Sequence, residues 1–247
     1  MATNFQGKAA FVTGGSRGIG AAIVQRLAND GAAVAFTYHG SKAAAETLVA
    51  GIQAAGGRAI ALQADVADAT ALTRAVNEAA RQLGKIDILV NNAGVFSMAN
   101  IAELALEDFD SMLNINVRAV FVASQAALAH MGDGGRIINI GSCNAERIPF
   151  PNFATYAMSK SALVGLVKGM ARDLGPRGIT VNNVQPGPTD TDMNPGEGEF
   201  AAAMHEVMAL KRHARPEEIA AMVAYVASEE AGFVTGASLT IDGGFNA

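Results

Sequence analysis

The feature that most constrains this chain is an alternation that runs almost from end to end. Short apolar runs at 8–13, 33–38, 58–63, 86–91, 136–141, 179–184 and 238–241 read as strands, and 18–29, 41–55, 68–83, 107–130, 155–174 and 216–228 have helical periodicity. A strand that reaches a parallel neighbour through a helix crosses over with one hand, so repeated units of this kind build a parallel sheet. The runs are nearly continuous in apolar residues, as strands covered by helices on both faces must be. The expected architecture is α/β: a doubly wound, seven-stranded parallel sheet with helices on both faces. At 247 residues, half of them hydrophobic and 17% charged, the chain is long and apolar enough to build it as a single domain over 1–247.

The alternation breaks once. Between 190 and 211 the sequence carries Asn194-Pro195-Gly196-Glu197-Gly198 and then a short amphipathic stretch from Phe200 to Leu210. An insertion at the carboxyl ends of the strands is either a mobile lid over a ligand crevice or an ordinary surface excursion.

Charge narrows the partners. A net charge of −5 with no run of Lys or Arg offers no surface for nucleic acid or an anionic membrane. No stretch is long and apolar enough to span a bilayer, and the amino terminus from Met1 to Lys8 lacks the apolar core of a signal peptide, so a cytoplasmic protein is expected. The single cysteine, Cys143, excludes an intrachain disulfide and any multi-cysteine metal site. His130, His205 and His213 lie too far apart in sequence for a recognisable metal motif, and no metal is expected.

After the first strand comes Thr13-Gly14-Gly15-Ser16-Arg17-Gly18-Ile19-Gly20, which opens a helix. Glycines let the backbone turn sharply and approach a pyrophosphate, whose charge is favoured by free N–H groups and the positive end of the helix. The strand before and the helix after make this a dinucleotide-binding turn of the Rossmann type, with Gly14, Ser16, Arg17, Gly18, Ile19 and Gly20 as its cradle. At the end of the second strand an acid would accept bonds from a free ribose 2′-hydroxyl. The sequence there is Tyr38-His39-Gly40-Ser41-Lys42, with none. Arg17 and Lys42 offer positive charge and Ser41 a hydrogen bond, with Tyr38 beside them, which predicts NADPH over NADH. His39 reads as an exposed loop histidine. Asp65 and Val66, after the third strand, are expected at the adenine ring. Asn92, Ala93 and Gly94, after the fourth, allow close approach to the cofactor, and the amides of Asn91 and Asn92 can tie neighbouring strands together.

Tyr156 and Lys160 stand four residues apart on a predicted helix and so share one face. A free tyrosine, with a pKa of ~10, is a poor acid–base catalyst at neutral pH, and a neighbouring cation is expected to lower it. Ser142 lies just past the fifth strand, at the edge where such sheets bind ligands, and there its hydroxyl can hold a substrate oxygen. Asn116 sits inside a helical segment, where its amide competes for backbone bonds; it marks a kink or a water site.

The residues Thr13 to Gly20, Asn91 to Gly94, Asn116, Ser142, Tyr156, Lys160, Pro186-Gly187 and the closing Thr240-Ile241-Asp242-Gly243-Gly244 resemble the ordered motifs of the short-chain dehydrogenase/reductase family, over essentially the whole chain. The pattern is especially similar to bacterial 3-oxoacyl-(acyl-carrier-protein) reductases and carbonyl reductases. The resemblance implies NADP(H), a catalytic tetrad of Asn116, Ser142, Tyr156 and Lys160, contacts from Pro186, Gly187, Thr189 and Thr191 to the nicotinamide end, and a homotetramer or homodimer. In that mechanism Tyr156 is the proton donor, Ser142 holds the substrate oxygen, Lys160 lowers the tyrosine pKa and Asn116 fixes a relay water.

The loop Asn144-Ala145-Glu146-Arg147-Ile148-Pro149 brings charges to the expected acyl wall, and no basic cluster attracts an acidic carrier. A small carbonyl compound is therefore expected as substrate, ahead of an acyl thioester or an alcohol oxidised in the reverse direction. A nucleotide-binding sensor that kept the fold without the chemistry is the alternative outside catalysis. Met193, Met204, Met208, Phe200 and Leu210 read as packing or oligomer contacts rather than a substrate pocket, and Cys143 as a small buried hydrophobe.

Overall fold

The computed structural model of the protein describes residues 4–247. The amino-terminal reading on signal peptides begins at residues 1–3, outside the described residues. Seven strands, β1 (Ala9–Val12), β2 (Ala33–Tyr38), β3 (Arg58–Gln63), β4 (Ile88–Asn91), β5 (Arg136–Ile140), β6 (Thr180–Pro186) and β7 (Ser238–Ile241), form one sheet in the order β3-β2-β1-β4-β5-β6-β7. Every pairing is parallel. The strand order reverses between β1 and β4, and a sheet of this kind opens a ligand crevice at the carboxyl ends on either side of that point.

Side chains alternate along each strand, so the sheet feeds two apolar layers. Ala10 and Val12 of β1 join Ile23, Leu27, Phe36 and Val223 on one face. Phe11 between them joins Leu72, Leu89, Ile137 and Val181 on the other. The first layer is roofed by α1 (Gly18–Asn29), α2 (Lys42–Ala54) and α8 (Pro216–Ala227), the second by α3 (Ala69–Leu83), α5 (Ala119–Leu128) and α6 (Ala154–Leu174). Local chemistry sets the helix ends. Asp68 caps α3 by accepting from the N–H groups of Thr70 and Ala71 at 2.8 and 3.1 Å. Pro216 starts α8, and the Glu218 carboxylate returns to the Arg215 N–H at 2.8 Å.

The helix expected over 107–130 is instead broken in two. α4 (Leu106–Leu113) passes into a π-helical turn, Asn114–Arg118, before α5 begins. The cause is Asn116, whose buried amide accepts from Val95 N–H at 2.9 Å and donates to Val95 O and Ser159 Oγ, both at 3.0 Å. A π-turn is the usual way a helix admits an extra residue to aim a functional side chain. A short helix, α7 (Glu199–Glu206), lies in the insertion before α8. Among the described residues, no helix is long and apolar enough to cross a membrane.

Candidate active site

One cavity of about 740 Å³ runs across the carboxyl ends of the strands, touching the loops after β1, β2, β3, β4, β5 and β6. Its size suits a small-molecule site, which spans ~300–1,000 Å³. At one end lies the turn after β1. Gly20 is the residue this turn cannot replace: a Cβ there would overlap the Gly14 carbonyl and come within 2.5 Å of Asn92 Nδ2. Asn92 Nδ2 donates to the carbonyls of Thr13 and Gly14 at 3.0 and 2.9 Å, and Thr13 Oγ1 accepts from the N–H groups of Asn92 and Ala93, both at 3.0 Å. The turn is thus sewn to the end of β4, with the amino terminus of α1 behind it.

Gly14, Ser16, Arg17, Gly18, Ile19 and Gly20 all line the cavity, as do Tyr38, Ser41, Asp65 and Val66. Lys42 does not. It is exposed and turns along α2 to Glu46, with 3.7 Å between Nζ and Oε1, so the positive charge expected at the ribose falls to Arg17. Arg17 lies 3.9 Å from Asp192 and is largely exposed. His39, read from sequence as a plain loop residue, also lines the cavity, 4.0 Å from Asp65. Asn92, Ala93, Gly94, Pro186, Gly187, Thr189 and Thr191 line its middle. The buried amides do tie strands together: Asn91 Nδ2 donates to Asn139 Oδ1 at 2.8 Å across β4 and β5.

Three of the four tetrad positions meet at the cavity wall. Ser142, Tyr156 and Lys160 line it, while Asn116 lies 1% exposed beside it with its amide committed to Val95 and Ser159. The amide thereby positions Val95 and, through Ser159, the turn of α6 that carries Tyr156, whose carbonyl accepts from Ser159 Oγ at 2.7 Å. Lys160 Nζ donates to the Ile140 carbonyl at 2.9 Å and lies 5.7 Å from the Tyr156 ring centroid. Gly94 lies against this cluster: a Cβ there would sit 3.3 Å from Asn116 Oδ1, a tight approach, and in ordinary contact with Lys160 Nζ.

The electrostatics correct one expectation. Lys160 was expected to lower the tyrosine pKa; desolvation instead raises the phenol to about 12, the Ser142 hydrogen bond pulls the other way, and the lysine is not among the causes. The same burial lowers the Lys160 ammonium to about 8. Tyr156 therefore carries its proton at neutral pH, while the burial that keeps it there also disfavours the phenolate. Ser142 Oγ accepts from Asn144 N–H at 3.1 Å, which fixes its direction at the start of a short 3₁₀ turn.

Beyond the tetrad the wall is aromatic. Phe96 meets Tyr156 edge-on at 4.9 Å and Phe153 at 5.3 Å, and Phe150 lies 5.9 Å from Phe200, which stacks on Phe153. These rings come from three separate segments, and only Phe200 was singled out in the sequence, then as packing. Met193 and Met204 line the cavity, whereas Met208 is buried against Cys143 and Phe245, and Leu210 is exposed. Glu146 and Arg147 are not in the wall, so the charges expected there lie elsewhere. Cys143 is buried, and desolvation pushes its thiol to about 12. His205 and His213, eight positions apart, are in contact, with 2.8 Å between Nε2 and Nδ1.

The family described as enoyl-(acyl carrier protein) reductase matches residues 14–246. A short-chain dehydrogenase/reductase from Serratia marcescens is 64% identical, with a TM-score of 0.97 over 98% of this chain and 99% of its own. A short-chain dehydrogenase from Burkholderia cenocepacia, solved in complex with NADP, is 56% identical, with a TM-score of 0.97 over 99% and 100% of the two chains. An Escherichia coli relative named cyclic-di-GMP-binding biofilm dispersal mediator protein is 51% identical over 98% of this chain and 99% of its own.

Proposed function

The chain belongs to the short-chain dehydrogenase/reductase family, a family of oxidoreductases, and from that premise we propose that it is an NADPH-dependent ketone reductase with Tyr156 as proton donor. The observation that carries this reading is the convergence of Ser142, Tyr156 and Lys160 on one wall of the cavity. NADP(H) is the cofactor. The glycine turn, the absence of an acid at the end of β2 and Arg17 beside it fit a 2′-phosphate, and the Burkholderia relative was solved with NADP. Bound along the turn, NADPH supplies the hydride.

The chain's own residues do the rest. Ser142 donates to the carbonyl oxygen and Tyr156 passes its proton to that oxygen as negative charge builds there. Lys160, buried beside the ring, stabilises the phenolate left behind. Pro186, Gly187, Thr189 and Thr191 hold the nicotinamide end. The rings of Phe96, Phe150 and Phe153 exclude water and favour a bulky or aryl ketone over a small polar one. The segment 190–211, with α7, is the lid over this end. Exposed Phe121 on α5 and Met158 on α6 fit a homodimer or homotetramer assembled through those helices, and light scattering at the mass of one subunit would overturn it. A cytoplasmic setting belongs to the same proposal.

The deciding experiment follows nicotinamide absorbance with NADPH and NADH across aryl ketones, β-keto esters, diketones and acyl thioesters. NADPH-dependent turnover of ketones is expected; a tenfold preference for NADH, or acyl thioesters as the best substrates, would overturn the reading. A second reading rests on the Escherichia coli relative: the cavity takes a cyclic dinucleotide and the protein acts as a sensor. Calorimetry with cyclic-di-GMP separates the two, since micromolar binding without any ketone turnover favours the sensor.

A further inference from the structure

Past β7 the chain does not simply end. Gly243 and Gly244, at φ +63° and +78°, turn it back on itself, a conformation that side chains rarely adopt. The Asp242 carboxylate locks the turn by accepting from the N–H groups of Gly244 and Asn246, both at 2.9 Å. The turn delivers Phe245, 3% exposed, into the cavity wall against Cys143 and Met208.

Two loops are fastened to this segment. On the catalytic side, Asn246 Nδ2 donates to the Cys143 carbonyl at 3.2 Å, one residue after Ser142. Arg147 places its guanidinium 5.8 Å from the Phe245 ring centroid and donates from Nη1 to the Phe245 carbonyl. On the lid side, Leu210 N–H donates to the Gly243 carbonyl at 2.8 Å. The charged loop beside Ser142 is thus a clamp on the carboxy-terminal segment and not part of the pocket wall.

We infer that 242–246 is a strap that sets substrate size, with Phe245 as the specificity-determining side chain and Arg147 as the residue that positions it. The inference rests on the ketone-reductase reading. Phe245 fills the space between the loop after Ser142 and the lid, so it limits the substituent that extends past the carbonyl on that side. Removing the ring opens that space without touching the glycine turn, Tyr156 or Lys160. Removing the clamp alone lets the ring move and relaxes the limit less.

The test compares kcat and KM for a graded series of aryl alkyl ketones in Phe245→Ala, Phe245→Leu and Arg147→Met, with the Kd for NADPH measured alongside. A pocket contact of this kind shifts discrimination by about tenfold or more. Expected is a rise of about that size in the ratio of kcat/KM for long-chain to short-chain ketones in Phe245→Ala, carried mainly by KM, with smaller rises in the other two. The Kd for NADPH and the pH profile of kcat should not move, although a merely structural loss would move both. If Phe245→Ala does not fold, Phe245→Leu, which keeps most of the volume, carries the same comparison. Ketones that turn over with an unchanged ratio in the folded variants overturn the strap; a wild-type protein that turns over no ketone overturns the reductase reading itself.

Discussion

The two ends of the cavity are built from different materials. At the cofactor end the working parts are backbone: consecutive residues from Thr13 to Gly20, main-chain groups at the amino terminus of α1, and the space left by missing side chains. Its charged side chains are exposed, and Lys42 turns away to Glu46 altogether. At the substrate end the working parts are side chains: phenylalanines at 96, 150, 153 and 245, brought together from three stretches of chain, with Phe200 packed on Phe150 and Phe153. A backbone site tolerates almost any change except an added Cβ, whereas a site of rings is remade by each substitution. Tyr156 and Lys160 stand where the two meet, and they offer the sharpest way to separate them.

Tyr156→Phe keeps the ring and its edge-on contact with Phe96 but removes the proton. Turnover should fall by about a thousandfold, within the ~10²–10⁴ of general acid catalysis, while the Kd for NADPH stays the same. A variant that kept a tenth of wild-type kcat would place the acid elsewhere and dissolve the division of labour between the ends.

Lys160 gives the next largest effect, and it is one of stability. Burial lowers the ammonium from its ordinary value near 10.5 to about 8, so at neutral pH the folded state carries a charge the interior disfavours. By linkage that is a net penalty of roughly 3 kcal/mol. The penalty is complete below pH 8, where both folded and unfolded forms are protonated, and is relieved as pH rises to about 10.5, since there the unfolded chain holds the proton and the folded one does not. Lys160→Met should therefore be inactive and, at pH 7, more resistant to urea than wild type. The gap should narrow between about pH 8 and 10.5. A gap that stays constant over that range would mean the lysine is not desolvated as the structure has it.

Gly20→Ala probes the backbone end directly. The added Cβ collides with the Gly14 carbonyl and Asn92, so the turn has to open. Overpacking of this kind costs about 1–3 kcal/mol, which appears as a rise of about 10–100-fold in the Kd for NADPH. Ketone KM at saturating NADPH should change far less. Equal losses at both ends would show that the cavity works as one unit.

The same contrast explains what the sequence disclosed. The seven strands, their parallel pairing and the glycine turn are local patterns, each contained in a few neighbouring residues, and they were legible. So was the kink at Asn116, because an asparagine inside a helix is a local anomaly; its form, a π-turn bonded to Val95 and Ser159, depends on contacts 21 and 43 positions away. Lys42 stands off the cavity wall, paired with Glu46 one helical turn on, an i,i+4 neighbour that the sequence reading passed over. The aromatic wall and the strap at Phe245 left no signal. Isolated phenylalanines carry no marker of a site, and only the fold brings 96, 150, 153 and 245 to one cavity. The rise in the Tyr156 pKa was missed for a related reason: the lysine four residues on is visible in the sequence, whereas the desolvation that raises the phenol belongs to the folded site.

The smallest effect lies where the proposed lid, 190–211, meets the chain that follows it. His205 on α7 meets His213, and the pair holds together only while one nitrogen keeps a free lone pair. His213 is buried, which lowers its pKa below the usual value; the neighbouring His205 lowers it further, and Asp190, in the loop after β6, opposes them. A histidine lowered in the folded state leaves stability intact above its unfolded value of ~6.5. Stability is then lost as pH falls through that value, because the unfolded chain takes the proton first. The urea midpoint of wild type should accordingly drop slightly between about pH 7.5 and 5.5, with ketone KM rising as the lid loosens and the Kd for NADPH unmoved. His213→Gln should flatten that drop. His205→Gln, which can still donate to Nδ1 but cannot become a cation, should flatten it only in part, since burial is the larger cause. Equal flattening by both variants would make the histidine pair, rather than burial, the source of the pH response, and a drop that survives both would remove the two histidines from it altogether.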